Sequence, residues 1–177
     1  MPPSFMTYFA FSFLSGLFAT LAIMRSPLGL GRFSGDHDLS GPQKFHARPV
    51  PRIGGAGVMA AIFVGAGIAQ WDASPLAAPL WLLIACSLPA FLTGIAEDFT
   101  KRVAPRWRLL ATAISASLAV WVLDGVIGRT HIPGLDLLLP WSPFAVALTL
   151  FTVAGVANAI NIIDGFNGLA SMCVFMM

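Results

Sequence analysis

Phe144-Ala-Val-Ala-Leu-Thr-Leu-Phe-Thr-Val-Ala-Gly-Val-Ala-Asn158-Ala-Ile-Asn161-Ile-Ile-Asp164-Gly165-Phe166-Asn167-Gly168 is the stretch from which the fold is read. Phe144 to Ile163 is mostly apolar and has the length of about 20 residues that a helix needs to cross a bilayer. Asn158, Asn161 and Asp164 are spaced by three, which puts their side chains on one stripe of a helix. Gly165 and Gly168 then loosen the backbone beside them. Two amides and a carboxylate at the end of an oily segment are expensive there, and such groups are functional by default. The bland alternative is a hydrogen bond between buried amides of packed helices.

Composition agrees with a membrane protein. The 177 residues are 57% hydrophobic and 10% charged, against about 25% charged in ordinary soluble domains. Cys86 and Cys173 lie in apolar runs and read as small buried hydrophobes, not as a disulfide or a zinc site. There is no Walker-type phosphate loop and no cysteine-histidine metal pattern. The first apolar run has no Lys or Arg before Arg25. A cleavable signal peptide needs a basic start, so this run is expected to be a permanent span.

Five spans are expected, at about Phe5–Met24, Ile53–Ala69, Ala77–Ile95, Leu109–Ile127 and Phe144–Ile163, with part of a sixth after Gly168. The second opens on Gly54-Gly55-Ala56-Gly57, which allows close backbone packing. The third carries Pro89, where a kink is expected. The fold class is therefore all-α, a polytopic membrane protein. It reads as one transmembrane domain over residues 1–177 and as the truncated N-terminal half of a longer protein.

Nine of the ten Lys and Arg residues fall in two loops. Arg25, Arg32, Lys44, Arg48 and Arg52 lie between spans one and two. Lys101, Arg102, Arg106 and Arg108 lie between spans three and four. With alternating spans these loops share a face, which the positive-inside rule makes cytoplasmic, with the N-terminus outside. Trp71 and Trp141 then mark the outer interface and Trp107 the inner one. Asp164 also ends on the cytoplasmic side.

Three polar clusters are thus expected on one face. Lys44-Phe45-His46…Arg52-Ile53-Gly54-Gly55 sets cations beside a glycine-rich helix start, which suits phosphate; a topology-setting basic loop needs only the charges. Lys44 and His46 are its functional candidates, while His37 and His131 read as exposed loop residues. Glu97-Asp98 is an adjacent acid pair. Mutual repulsion raises one of its pKa values and suits a base or a metal partner, unless the pair is simply solvated and balanced by Lys101 and Arg102. Asn161 and Asp164 can ligate a hard cation that bridges substrate phosphates. Together these point to phosphoryl chemistry on a lipid.

Lys44-Phe45-His46…Pro49-Val50-Pro51-Arg52-Ile53-Gly54-Gly55, then Glu97-Asp98-Phe99-Thr100-Lys101, then Asn158 to Leu169 resemble, in order, the signatures of the polyprenyl-phosphate N-acetylhexosamine-1-phosphate transferases of glycosyltransferase family 4. The resemblance implies transfer of a sugar-1-phosphate from a UDP-N-acetylhexosamine to undecaprenyl phosphate, with release of UMP and with Mg2+ required. Such a step begins O-antigen, lipopolysaccharide or other cell-envelope glycan synthesis at the bacterial inner membrane. A sister branch makes the first lipid intermediate of peptidoglycan from UDP-N-acetylmuramoyl-pentapeptide. The short Lys44 to Arg52 signature and the Glu97-Asp98 pair favour the envelope-glycan branch. The implied partners are the nucleotide sugar, the lipid phosphate and membrane lipid, with a homodimer allowed and no nucleic acid.

By the same resemblance Asp98 is the catalytic carboxylate acting on the lipid phosphate, with Glu97 beside it. Asn161 matches a metal-associated position, Asp164 and Asn167 the nucleotide-binding stretch, and Lys44 a position near the nucleotide. Two residues depart from the pattern. Glu97 stands where an aspartate is common, and Asn167 replaces the second acid of Asp-Gly-x-Asp-Gly. Family members have about ten spans, so this chain is expected to be inactive by itself. Two rivals lie outside the family. A transporter or channel would line an ion path with the intramembrane Asn and Asp residues. A non-catalytic assembly subunit would tolerate Asp98→Asn.

Overall fold

The structure is a computed structural model that describes residues 5–25, 54–100, 102–163 and 169–176. Among the described residues there are six helices: α1 (Phe5–Arg25), α2 (Gly54–Trp71), α3 (Ala77–Thr100), α4 (Pro105–Leu123), α5 (Ser142–Ile163) and α6 (Leu169–Met176). No strand occurs among the described residues. Helices α1 to α5 are long and apolar enough to cross a membrane. A chain in lipid must satisfy its backbone internally, and an all-helical fold does so. The protein is therefore a multi-pass membrane protein. The chain divides into two compact units, residues 1–85 with 91–103, and residues 86–90 with 104–177.

In the first unit α1 packs on α2 through small residues. A Cβ built on Gly16 would meet Ala61 Cβ at 3.1 Å and Gly57 O at 3.3 Å. One built on Gly57 would strike Thr20 Oγ1, and one on Gly65 would reach Ser12 Oγ at 2.9 Å. These contacts descend α2 as they climb α1, so the two helices run antiparallel. The contact residues recur every four positions, Ser12-Gly16-Thr20 against Gly57-Ala61-Gly65, the small-xxx-small pattern that lets membrane helices approach closely. Gly54 and Gly55 meet nothing within 4 Å, so the close packing expected at the Gly54-Gly55-Ala56-Gly57 start rests on Gly57. Thr20 Oγ1 donates to Gly16 O at 2.8 Å and so satisfies its own hydroxyl within the helix. Tyr8 Oη donates to Asp72 Oδ2 at 3.1 Å and ties the start of α1 to the turn after α2.

α3 extends to Thr100, five residues past its expected end. It continues as helix through Pro89. Ser115 Oγ of α4 accepts the Ala90 N–H at 3.1 Å, within the second unit. Such a tie compensates local loss of helix bonding around a proline. α4 starts at Pro105 because Ala104, preceding a proline, is held extended at φ −67°, ψ 145°, and proline then fits the first helical position. It ends at Asp124, which is left-handed at φ 50°. The Gly125 N–H closes the helix end by donating to Ala119 O at 3.4 Å. The expected fourth span thus starts four residues early and stops four residues early.

α4 and α5 bury small residues: Ala111 and Ala116 on one, Ala145, Thr149 and Ala154 on the other. Thr149 Oγ1 donates to Ala145 O at 2.7 Å and accepts the Ile127 N–H at 3.0 Å, pinning the segment after α4 to α5. Trp71, Trp141 and Trp107 are 94%, 64% and 55% exposed, all near helix ends, as interfacial aromatic residues are. Cys86 is buried as expected and unpaired; Cys173, also unpaired, is only half-buried because α6 has no buried residue.

Candidate active site

Glu97 and Asp98 lie on the last turn of α3. A polar loop is what their sequence suggests, but the helix carries both. Thr100 Oγ1 donates to Ala96 O at 2.6 Å and accepts the Arg102 N–H at 3.4 Å, which closes the helix just past the acids. Both acids are half-buried. Successive residues of a helix diverge by about 100°, so the two carboxylates leave the helix in different directions. One of them can therefore face a substrate while the other does not.

Asn158 and Asn161 lie on the last turns of α5, with Asn158 half-buried and Asn161 exposed. One orientation of the Asn161 amide satisfies both of its ends. In it Oδ1 accepts from Nη1 and Nη2 of Arg108, each at 3.0 Å, and Nδ2 is turned toward acceptors. Arg108 stands in the first turn of α4, which has no acidic residue. Cations there work against the helix dipole, and the cross-helix fork to Asn161 offsets that cost. Sequence reading gave Arg108 only a topogenic role. Its partner lies far along the chain on another helix, and no local spacing signals such a pair.

Lys44, His46, Asp164 and Asn167 lie outside the described residues. The structure thus describes Glu97 and Asp98 on one unit and Asn161 on the other. Among the described residues no group of three or more His, Cys, Asp or Glu side chains could hold a metal ion. The oxygen through which Asn161 would ligate magnesium is held by a guanidinium. In that orientation the Asn161 oxygen is turned to the guanidinium and not to a cation.

The family model of glycosyl transferase family 4 matches residues 80–177, more than half of the chain. The chain belongs to glycosyl transferase family 4. The match covers the acid pair on α3 and the amide-rich end of α5. Curated relatives of this family-4 chain include three phospho-N-acetylmuramoyl-pentapeptide-transferases. That of Rhodopseudomonas palustris (strain BisB18) is 31% identical over 77% of the chain and 41% of the relative. That of Ruegeria pomeroyi (strain ATCC 700808 / DSM 15171 / DSS-3) is 29% identical over 96% and 49%. That of Desulfitobacterium hafniense (strain DSM 10664 / DCB-2) is 29% identical over 74% and 42%. The chain spans a little under half the length of these relatives. No solved structure matches it.

Proposed function

We propose that the chain is part of a phospho-N-acetylmuramoyl-pentapeptide transferase, the peptidoglycan branch of the family. What carries this is the shared name of the three relatives, one of them aligned over 96% of the chain. It supports the peptidoglycan branch over the envelope-glycan branch that the acid pair and the Lys44 to Arg52 signature favour.

In the reaction an oxygen of undecaprenyl phosphate bonds to the sugar-bearing phosphorus of the UDP donor. The bond from that phosphorus to the UMP oxygen breaks, and UMP leaves. Asp98 orients or deprotonates the lipid phosphate, from a helix end at headgroup height. Glu97, the next residue on the same helix turn, adds negative charge beside it. Lys44, His46, Asp164 and Asn167 bind the donor nucleotide. The site faces the cytoplasm, on the side of the two basic loops. A magnesium requirement belongs to the same proposal.

The test is UMP release by the full-length gene product in membranes with undecaprenyl phosphate and Mg2+. Donors are UDP-N-acetylmuramoyl-pentapeptide and a panel of UDP-N-acetylhexosamines. UMP from the pentapeptide donor alone, abolished by Asp98→Asn and by EDTA, is the expected outcome. UMP from a hexosamine donor instead moves the protein to the envelope-glycan branch. Folded protein that releases no UMP with any donor overturns both.

A further inference from the structure

We propose that Arg108 is a positioning residue that commits the Asn161 amide to act as an N–H donor, not as a metal ligand. The guanidinium holds Oδ1 with both Nη atoms at 3.0 Å, and Nδ2 is turned toward acceptors. An amide ligates a hard cation through oxygen alone. A cation brought to that oxygen would also meet the fixed positive charge of Arg108. Asn161 therefore presents its amide hydrogens at the end of α5. Within the transferase assignment, on which this use rests, an oxygen of the phosphorylated substrate takes these hydrogens in place of the protein acceptors they face. Both Nη atoms converge on the one oxygen, which fixes the direction of the amide more tightly than a single-point lysine contact does.

The pairing is tested without reference to turnover, on the full-length gene product in nanodiscs. Arg108→Ala and Asn161→Ala should each lower the melting midpoint by about 2–4 °C. The double variant should lose no more than the worse of the two, since the singles remove one shared contact. Full additivity overturns the pairing. Arg108→Lys with Asn161→Ala provides the same cycle if Arg108→Ala does not fold. The donor role is read by Mn2+ binding, followed by electron paramagnetic resonance without substrate. Asn161→Leu should leave the dissociation constant within twofold of wild type. Weakening by fivefold or more makes Asn161 a metal ligand and overturns the proposal. Coupling in a protein that releases no UMP would refute the transferase assignment and leave the Arg108–Asn161 pair standing.

Discussion

Asp136 is the best-anchored carboxylate of the segment between α4 and α5. Its Oδ1 accepts from the Thr130 N–H at 2.7 Å and the Thr130 hydroxyl at 2.6 Å, and its Oδ2 from the His131 N–H at 3.1 Å. The Thr130 hydroxyl, then the Thr130 amide, with smaller help from His131, hold its pKa below the ordinary 3.8. His131, at φ 60°, is kept in a left-handed turn beside it. The sign follows from the lowered value. The loop's stabilisation is complete above pH 3.8 and is lost as pH falls through the lower folded-state value. Protection of the Thr130 and His131 amides, taken against the intrinsic exchange rate at each pH, should thus hold at pH 5 and fall only well below 3.8. Asp136→Asn, which lacks the charge, should exchange faster at neutral pH. None of this was legible in the sequence, where Asp136 and His131 were merely loop residues. The acid pair was legible, because two adjacent carboxylates at the edge of an apolar run repel each other and are costly to desolvate. Arg108 was not, since its meaning depends on which helix lies opposite.

Among the elements, the antiparallel α1–α2 pair depends most closely on side-chain size. Gly57 faces Thr20, a β-branched side chain already committed to Gly16 O. Thr20 cannot swing away without breaking that bond, and the Gly16 carbonyl lies 3.3 Å from the added carbon. Gly57→Ala should therefore cost about 1–3 kcal/mol, the usual range for overpacking a tight interface. Gly54→Ala, with open space around it, should be neutral or slightly stabilising through helix propensity. Thermal unfolding in detergent micelles compares the two. The sequence announced a glycine-rich helix start but not which glycine would touch. That choice is made by the register of α1, which hydropathy does not encode. Hydropathy also ended the third span at Ile95, because charged residues close an apolar window even where the helix runs on. The Ala104-Pro105 boundary is local backbone chemistry, yet the expected fourth span starts at Leu109, because the basic residues up to Arg108 close the apolar window as well.

At the scale of the molecule, span number and all-helical class were legible because a bilayer demands about 20 apolar residues per crossing. Membership of family 4 was legible because three motifs occur in order. The donor was not. The Lys44 to Arg52 signature and the Glu97-Asp98 pair lean toward one branch and the curated relatives toward the other. The continuity of α3 has a further consequence. From Ala77 to Asp98 is 21 helical steps of about 1.5 Å, or roughly 32 Å, close to the thickness of a bilayer's hydrocarbon core. The acids therefore ride the tip of a rod cut to membrane length, and on the proposed function the rod is a ruler for where a lipid's phosphate must sit. Thicker bilayers sink that tip below the headgroups and thinner ones lift it clear, unless the helix tilts. Turnover in vesicles of 14-, 18- and 22-carbon monounsaturated phosphatidylcholine should peak at the middle length. A flat response would mean that tilt absorbs the whole mismatch. The thickness of the surrounding membrane, which no residue of the chain contains, then acts as one of the working dimensions of the proposed transferase.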